Sequence, residues 1–168
     1  FPMFIKWNIT SHCNLRCKHC FLINYNNKGL SINIINEYVD LFSKKNVCGV
    51  AISGGEPFLR DDLELIVKKI TDRGINVSIA SNGTLINKKR AHELSRNGLN
   101  DYQISLEGPD AKTNDQIRGK GVFKRAVESI NILKMIGATV TIGFTVNLIN
   151  YKYIDEMLRF AESLSVDA

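Results

Sequence analysis

His12-Cys13-Asn14-Leu15-Arg16-Cys17-Lys18-His19-Cys20 places three thiols within eight residues, in the spacing Cys13-x-x-x-Cys17-x-x-Cys20. The apolar run Phe1–Ile9 precedes it and reads as a strand, so the thiols fall on a loop at a strand's end. Three thiolates on one short loop can converge on one metal centre. A complete iron–sulfur cluster usually takes four cysteines, so three leave one corner open for chemistry. Two other readings compete. One is a zinc site with His12 or His19 as fourth ligand; the other is a chance crowding of core cysteines. Zinc sites more often use cysteines in pairs two to four residues apart.

Outward from this loop the pattern is strand, polar turn, helix, repeated. Phe4–Thr10 reads as the first strand, and Ser31 as the N-cap of a helix running to about Lys45. Val47–Ile52 is a short continuous apolar run, as in a parallel strand buried on both faces, with Cys48 a small hydrophobe inside it. A helix from Asp61 or Asp62 closes at Gly74. Strand Ile75–Ala80, helix Asn87–Asn97, with His92 on a solvated face, and strand Asp101–Leu106 follow. A loop is expected through Thr113–Gly119, then helix Val122–Ile136, strand Ala138–Val146 and helix Tyr151–Leu164. Five strand–helix units in alternation predict an α/β fold with parallel pairing and right-handed crossovers. An open doubly wound sheet and a partial barrel both satisfy that pattern.

In either architecture, function collects where the strands end. Each predicted strand ends in a polar or glycine motif. After the second stands Gly54-Gly55-Glu56-Pro57, after the third Ser81-Asn82-Gly83-Thr84, and after the fourth Ser105-Leu106-Glu107-Gly108. Two glycines admit a ligand close to the backbone, and Glu56 can accept from an ammonium.

Together the motifs resemble those of the radical S-adenosylmethionine (radical SAM) family, over nearly the whole chain and in the family's order. The resemblance implies a partial (β/α) TIM-like barrel, of which this chain carries about five of an expected six units. Cys13, Cys17 and Cys20 would hold a [4Fe–4S] cluster whose fourth iron is chelated by SAM. The run Gly54-Gly55-Glu56-Pro57 is identical to the family's motif and implies that Gly54, Gly55 and Glu56 bind the amino group of SAM. Asn82 and Ser105 would also contact SAM, as would Arg118, set to pair with its carboxylate. His19 stands where the family usually has an aromatic residue beside the adenine. Glu107 replaces a commoner aspartate, which leaves its partner open, and Asn147 after the fifth strand is a further candidate contact. The implied activity is reductive cleavage of SAM to a 5′-deoxyadenosyl radical, which abstracts hydrogen from substrate. The Ser-Leu-Glu-Gly run resembles the branch with auxiliary-cluster (SPASM-type) domains, whose members modify peptides or build cofactors such as haem variants. Partners implied are a peptide or small-molecule substrate and an electron donor such as flavodoxin or ferredoxin.

Bulk properties agree with a single-domain enzyme core and narrow its setting. A length of 168 residues predicts one domain over 1–168, and the chain reads as a core cut at or before its sixth strand. The formal net charge of +5 is not gathered into basic blocks interleaved with aromatics, so nucleic acid is not an expected partner. Crowded thiols predict a reducing, cytoplasmic setting. No apolar run approaches the roughly 20 residues that cross a bilayer, and no signal peptide is read.

Overall fold

The computed structural model describes residues 4–168. The first strand, β1, spans Phe4–Asn8; the Phe1–Met3 part of the predicted strand lies outside the described residues. There follow α1 (Ile32–Lys44), β2 (Gly49–Ser53), α2 (Leu63–Thr71), β3 (Asn76–Ser81), α3 (Lys88–Arg96) and β4 (Asp101–Ser105). Next come α4 (Ala111–Arg118), α5 (Val122–Met135), β5 (Thr139–Gly143) and α6 (Ile154–Ser163). Single 3₁₀ turns open at Pro57 and Tyr151.

All strand pairs are parallel, and the order is β1-β2-β3-β4-β5. That order decides between the two architectures. A doubly wound sheet reverses direction partway and carries helices on both faces. Here each strand is added beside its predecessor. With right-handed crossovers α1, α2, α3, α5 and α6 then fall on the same side, and the twisted sheet curls away from them as part of a barrel wall.

The two faces differ in chemistry. Outward residues Val50, Ile52, Val77, Ile79, Tyr102, Ile104 and Val140 are buried. They share a core with Ile35 and Val39 of α1, Leu63, Ile66 and Ile70 of α2, and Ile130 and Leu133 of α5. Each large side chain fully buried there contributes roughly 1.5–3 kcal/mol. The inward face is small or polar: one register row runs Lys6, Ala51, Ser78, Asp101, Thr139. The expectation that β2 is apolar on both sides is therefore corrected. Gly49, Ala51 and Ser53 alternate onto the inner face, and Cys48 is an exposed residue before the strand.

Two further boundaries differ from the sequence reading. The segment expected as a loop through Thr113–Gly119 is helix α4, capped by Asp110, whose carboxylate accepts from Thr113 N at 2.7 Å. It has no apolar period because it buries Thr113, Asn114 and Arg118 beside Ile117. β5 stops at Gly143, opposite Ser105 at the end of β4. Beyond it the Glu107 carboxylate takes over as acceptor for Thr145 N. On the other edge of β5, Asp167 N donates to Val140 O and Ala168 O accepts from Ile142 N, both at 2.8 Å.

Between α4 and α5 the chain turns on Asp115, whose carboxylate accepts from Gly121 N and Phe123 N. Burial pushes this carboxyl up, but the N–H groups of Phe123 and Gly121 and the Asn114 amide outweigh it and hold it below its usual range. Its contribution to stability is then complete above the ordinary carboxyl pKa and is lost as pH falls through the depressed value. Asp115→Ala is expected to cost about 1 kcal/mol at neutral pH, as for a lost helix cap, and less in acid. Urea unfolding of both proteins across acid pH measures this.

Candidate functional site

The cysteine loop is fixed by its neighbours on three sides. Thr10 O accepts from Gly55 N and His12 O from Glu56 N, each at 2.8 Å, which docks the loop on the Gly54-Gly55-Glu56 turn. Lys18 N donates to Ile117 O at the end of α4. Asn14 bridges to the third motif: its amide donates to Thr84 Oγ1 at 2.8 Å, and its oxygen accepts from Asn82 Nδ2 at 3.0 Å. The glycines are required by this docking. A Cβ on Gly54 would strike the Thr10 carbonyl, and one on Gly55 the carbonyls of Ser11 and His12. Gly54 also has φ +143°, a backbone conformation that favours glycine.

The result is one cavity of about 370 Å³ at the strand ends, lined by all three cysteines. Gly54, Gly55, Asn82, Ser105, His19 and Arg118 also line it. Six predicted contacts from five separate segments thus meet the thiols at one mouth.

Three predicted contacts do not line it. Glu56 is fully buried, and its carboxylate accepts from Phe58 N (3.0 Å), Ser81 Oγ (2.9 Å) and Asn82 N (2.8 Å). Burial raises this carboxyl above its usual value, against those three donors. Its side chain ties the second motif to the third; the cavity receives the glycine backbone instead. Glu107 is also fully buried. It pairs with Arg118 at 2.7 Å, faces His19 Nε2 at 3.5 Å and accepts from Thr145 N. Its extra methylene relative to aspartate suits a brace behind Arg118 rather than a ligand contact. Asn147 holds its own turn, donating to Thr145 O and accepting from Ile149 N, while Thr145 lines the cavity.

The charges around the thiols are arranged in a chain. Burial pushes the Cys13 and Cys17 thiols above their ordinary value, and at Cys17 the Arg118 guanidinium acts in the opposite direction. Arg118 Nη1 lies 3.9 Å from Cys17 Sγ. Arg118 Nε and His19 Nδ1 are buried without a hydrogen-bond partner. Orphaned polar atoms in residues that line a cavity normally have a ligand or water to meet. Among the described residues no three Cys, His, Asp or Glu side chains close on a single ion. The three thiols instead line one cavity. The donor set and the orphaned groups therefore fit a cluster with a polar co-ligand beside it.

The profile of the radical SAM superfamily matches residues 7–161. The chain belongs to that superfamily. Radical SAM proteins are enzymes that use a [4Fe–4S] cluster and SAM, and the three-cysteine loop carries the family's spacing. Among curated radical SAM relatives, the chain is 30% identical over 168 residues to the AdoMet-dependent heme synthase of Oleidesulfovibrio alaskensis. That alignment takes in 98% of this chain and 43% of the relative. It is 33% identical over 163 residues to the mycofactocin maturase MftC of Mycolicibacterium smegmatis, covering 95% of this chain and 42% of that one. The chain thus spans less than half the length of the curated relatives it matches. In fold it is similar to SuiB of Streptococcus suis bound to the precursor peptide SuiA. The TM-score is 0.86 at 24% identity, over 99% of this chain and 38% of that one. SuiB bound to S-adenosylmethionine gives a TM-score of 0.85 at 24% identity, over 99% and 39% of the two chains. Of the residues that build this site, Asn14 and Asn150 were not picked out from sequence. Asn150 is fully buried and donates to Glu107 O and Thr145 O. Its place beside Cys13 in the three-cysteine loop was the one signal for Asn14.

Proposed function

We propose that this chain binds a [4Fe–4S] cluster through Cys13, Cys17 and Cys20 and SAM in the adjoining cavity, as the core of an enzyme acting on a peptide or cofactor precursor. The observation that carries this reading is the single mouth shared by the three thiols, the Gly54-Gly55 backbone, Ser105 and Arg118. Held by Cys13, Cys17 and Cys20, the cluster would supply the electron for reductive cleavage of SAM and, through it, hydrogen abstraction from substrate.

The chain's own residues do the rest. The Gly54 and Gly55 backbone offers carbonyls to the SAM ammonium at a distance a side chain would prevent. Arg118, held by Glu107, offers its free edge to the carboxylate in a charge-assisted pair. Ser105 and Asn82 supply hydroxyl and amide groups from β4 and the β3 turn. His19 flanks the adenine with its ring. The heme synthase and maturase relatives support a peptide or cofactor-precursor substrate. An electron donor such as flavodoxin or ferredoxin completes the proposal. Thiols kept free for metal favour a reducing, cytoplasmic setting. Among the described residues no helix is long and apolar enough to cross a membrane.

Anaerobic reconstitution with iron and sulfide, followed by dithionite and SAM, tests this. Cluster absorbance and SAM-dependent release of 5′-deoxyadenosine are expected. Zinc retained without sulfide, or a cluster that leaves SAM unbound, would overturn the reading. Gly55→Ala is expected to lower both cluster yield and SAM affinity, the latter by about tenfold or more, because its Cβ meets the loop's own carbonyls. Unchanged SAM titration in that variant would count against backbone capture of the ammonium.

A further inference from the structure

Beneath the cofactor cavity lies a second one of about 350 Å³, on the inner face of the sheet. Lys6, Ser53, Ala80 and Gln103 line both, and so form a collar between them. Among the described residues the Lys6 ammonium and the Gln103 carboxamide have no hydrogen-bond or ion-pair partner. Gln103 is aimed upward. A Cβ on Gly143 would lie 2.5 Å from its Nε2, and Gly143 stands opposite Ser105, one inward step nearer the mouth than Gln103. The bare glycine is what lets the carboxamide lean that way.

β1 and β4 are three strand spacings apart, about 14 Å, and Gln103 stands one inward step, about 7 Å, nearer the mouth than the Lys6 row. Both side chains line the same collar, so a group seated there has both donors within the cavity wall. Both offer N–H donors, one of them charged, and Ser53 adds a hydroxyl. Among the described residues the collar is lined by strand residues whose backbone is committed to sheet ladders rather than by a helix N-terminus, the setting that phosphate favours. Asp101, in the same register row as Lys6 but on β4, repels an anion that moves deeper. We infer that Lys6 and Gln103 form a subsite for a carboxylate of the substrate, which holds the reacting carbon up toward the mouth.

This rests on the cofactor reading of the cavity above, and the test keeps the two apart. Four probes are titrated onto the chain: a short glutamate peptide, its glutamine twin, a propionate-bearing porphyrin and its methyl ester. Each titration is run before and after iron–sulfide reconstitution. One acid is expected to bind about tenfold more tightly than its neutral twin, and which one does so identifies the carboxylate's source. Lys6→Met is expected to erase that preference and Gln103→Leu to reduce it, with SAM affinity unchanged in both. Equal binding of acids and neutral twins, or a preference that survives Lys6→Met, overturns the subsite. So does loss of SAM affinity in Lys6→Met, which would place the lysine in the cofactor site. If no cluster assembles, the cofactor reading falls, while the cluster-free titrations still decide this one.

Discussion

Cys17→Ala protein reconstituted with iron and sulfide should show no cluster absorbance, yet unfold in urea within about 1 kcal/mol of the wild type. The two halves of that result come from different parts of the molecule. The core lies between the outer sheet face and the helices, where residues such as Ile52, Leu63, Ile79 and Leu94 are fully buried. Cys17 is only partly buried and stands outside that layer. Its loop is held by backbone groups of Thr10, His12 and Lys18, which the substitution leaves in place. What is lost is one of three thiolates around the cavity, and two do not suffice to hold a cluster that already leaves one corner open. Retained cluster absorbance, with Cys48 the one other thiol in the chain, would break the assignment of the trio. A collapse in stability would show that the loop is part of the core.

Glu56→Ala should be the most destabilising single change among the strand-end motifs, by about 3–5 kcal/mol. The carboxylate accepts from three donors in a site with no solvent access, and removing it leaves the N–H of Phe58, the N–H of Asn82 and the Ser81 hydroxyl without an acceptor. Glu56→Gln does not rescue fully. Its amide has one acceptor oxygen, so its NH₂ must face a backbone N–H whichever way it is turned, and a loss of about 2 kcal/mol is expected. Chemical denaturation measures both. Full stability with weakened SAM binding would return the side chain to the role of ammonium ligand. Loss of stability, with SAM affinity falling only as far as the fold loosens, supports its role as a tie between motifs.

These two residues mark how far the sequence could be read. The grouping of Cys13, Cys17 and Cys20 was legible because it is local: three thiols spaced on one loop reach one cavity. The alternation of elements was legible for the same kind of reason. Ser31 and Asn87 accept from Ile34 N and Arg90 N as helix caps, within one turn of chain. The apolar spacing of Ile66, Val67 and Ile70 names a buried helix face directly. α4 was not legible, because a helix that buries Asn114 and Arg118 shows no apolar period. The direction of Glu56 and Glu107 was not legible either. A glutamate beside glycines looks the same on the page whether it points at a ligand or at Ser81.

The sequence by itself determined the repeat of strand and helix, the parallel pairing that follows from it, and the three thiols with their glycine turn. Those depend on forces that act over one turn or one loop. The tertiary structure alone decided that the strands run in chain order with the core helices to one side, which gives an inner wall that carries Lys6, Ala51, Ser78 and Gln103. It also decided which carboxylates serve the fold. Strand order is set by the summed packing of every helix on the outer sheet face. A carboxylate's direction is set by which donors distant segments bring to it, and neither is written in any one stretch of chain.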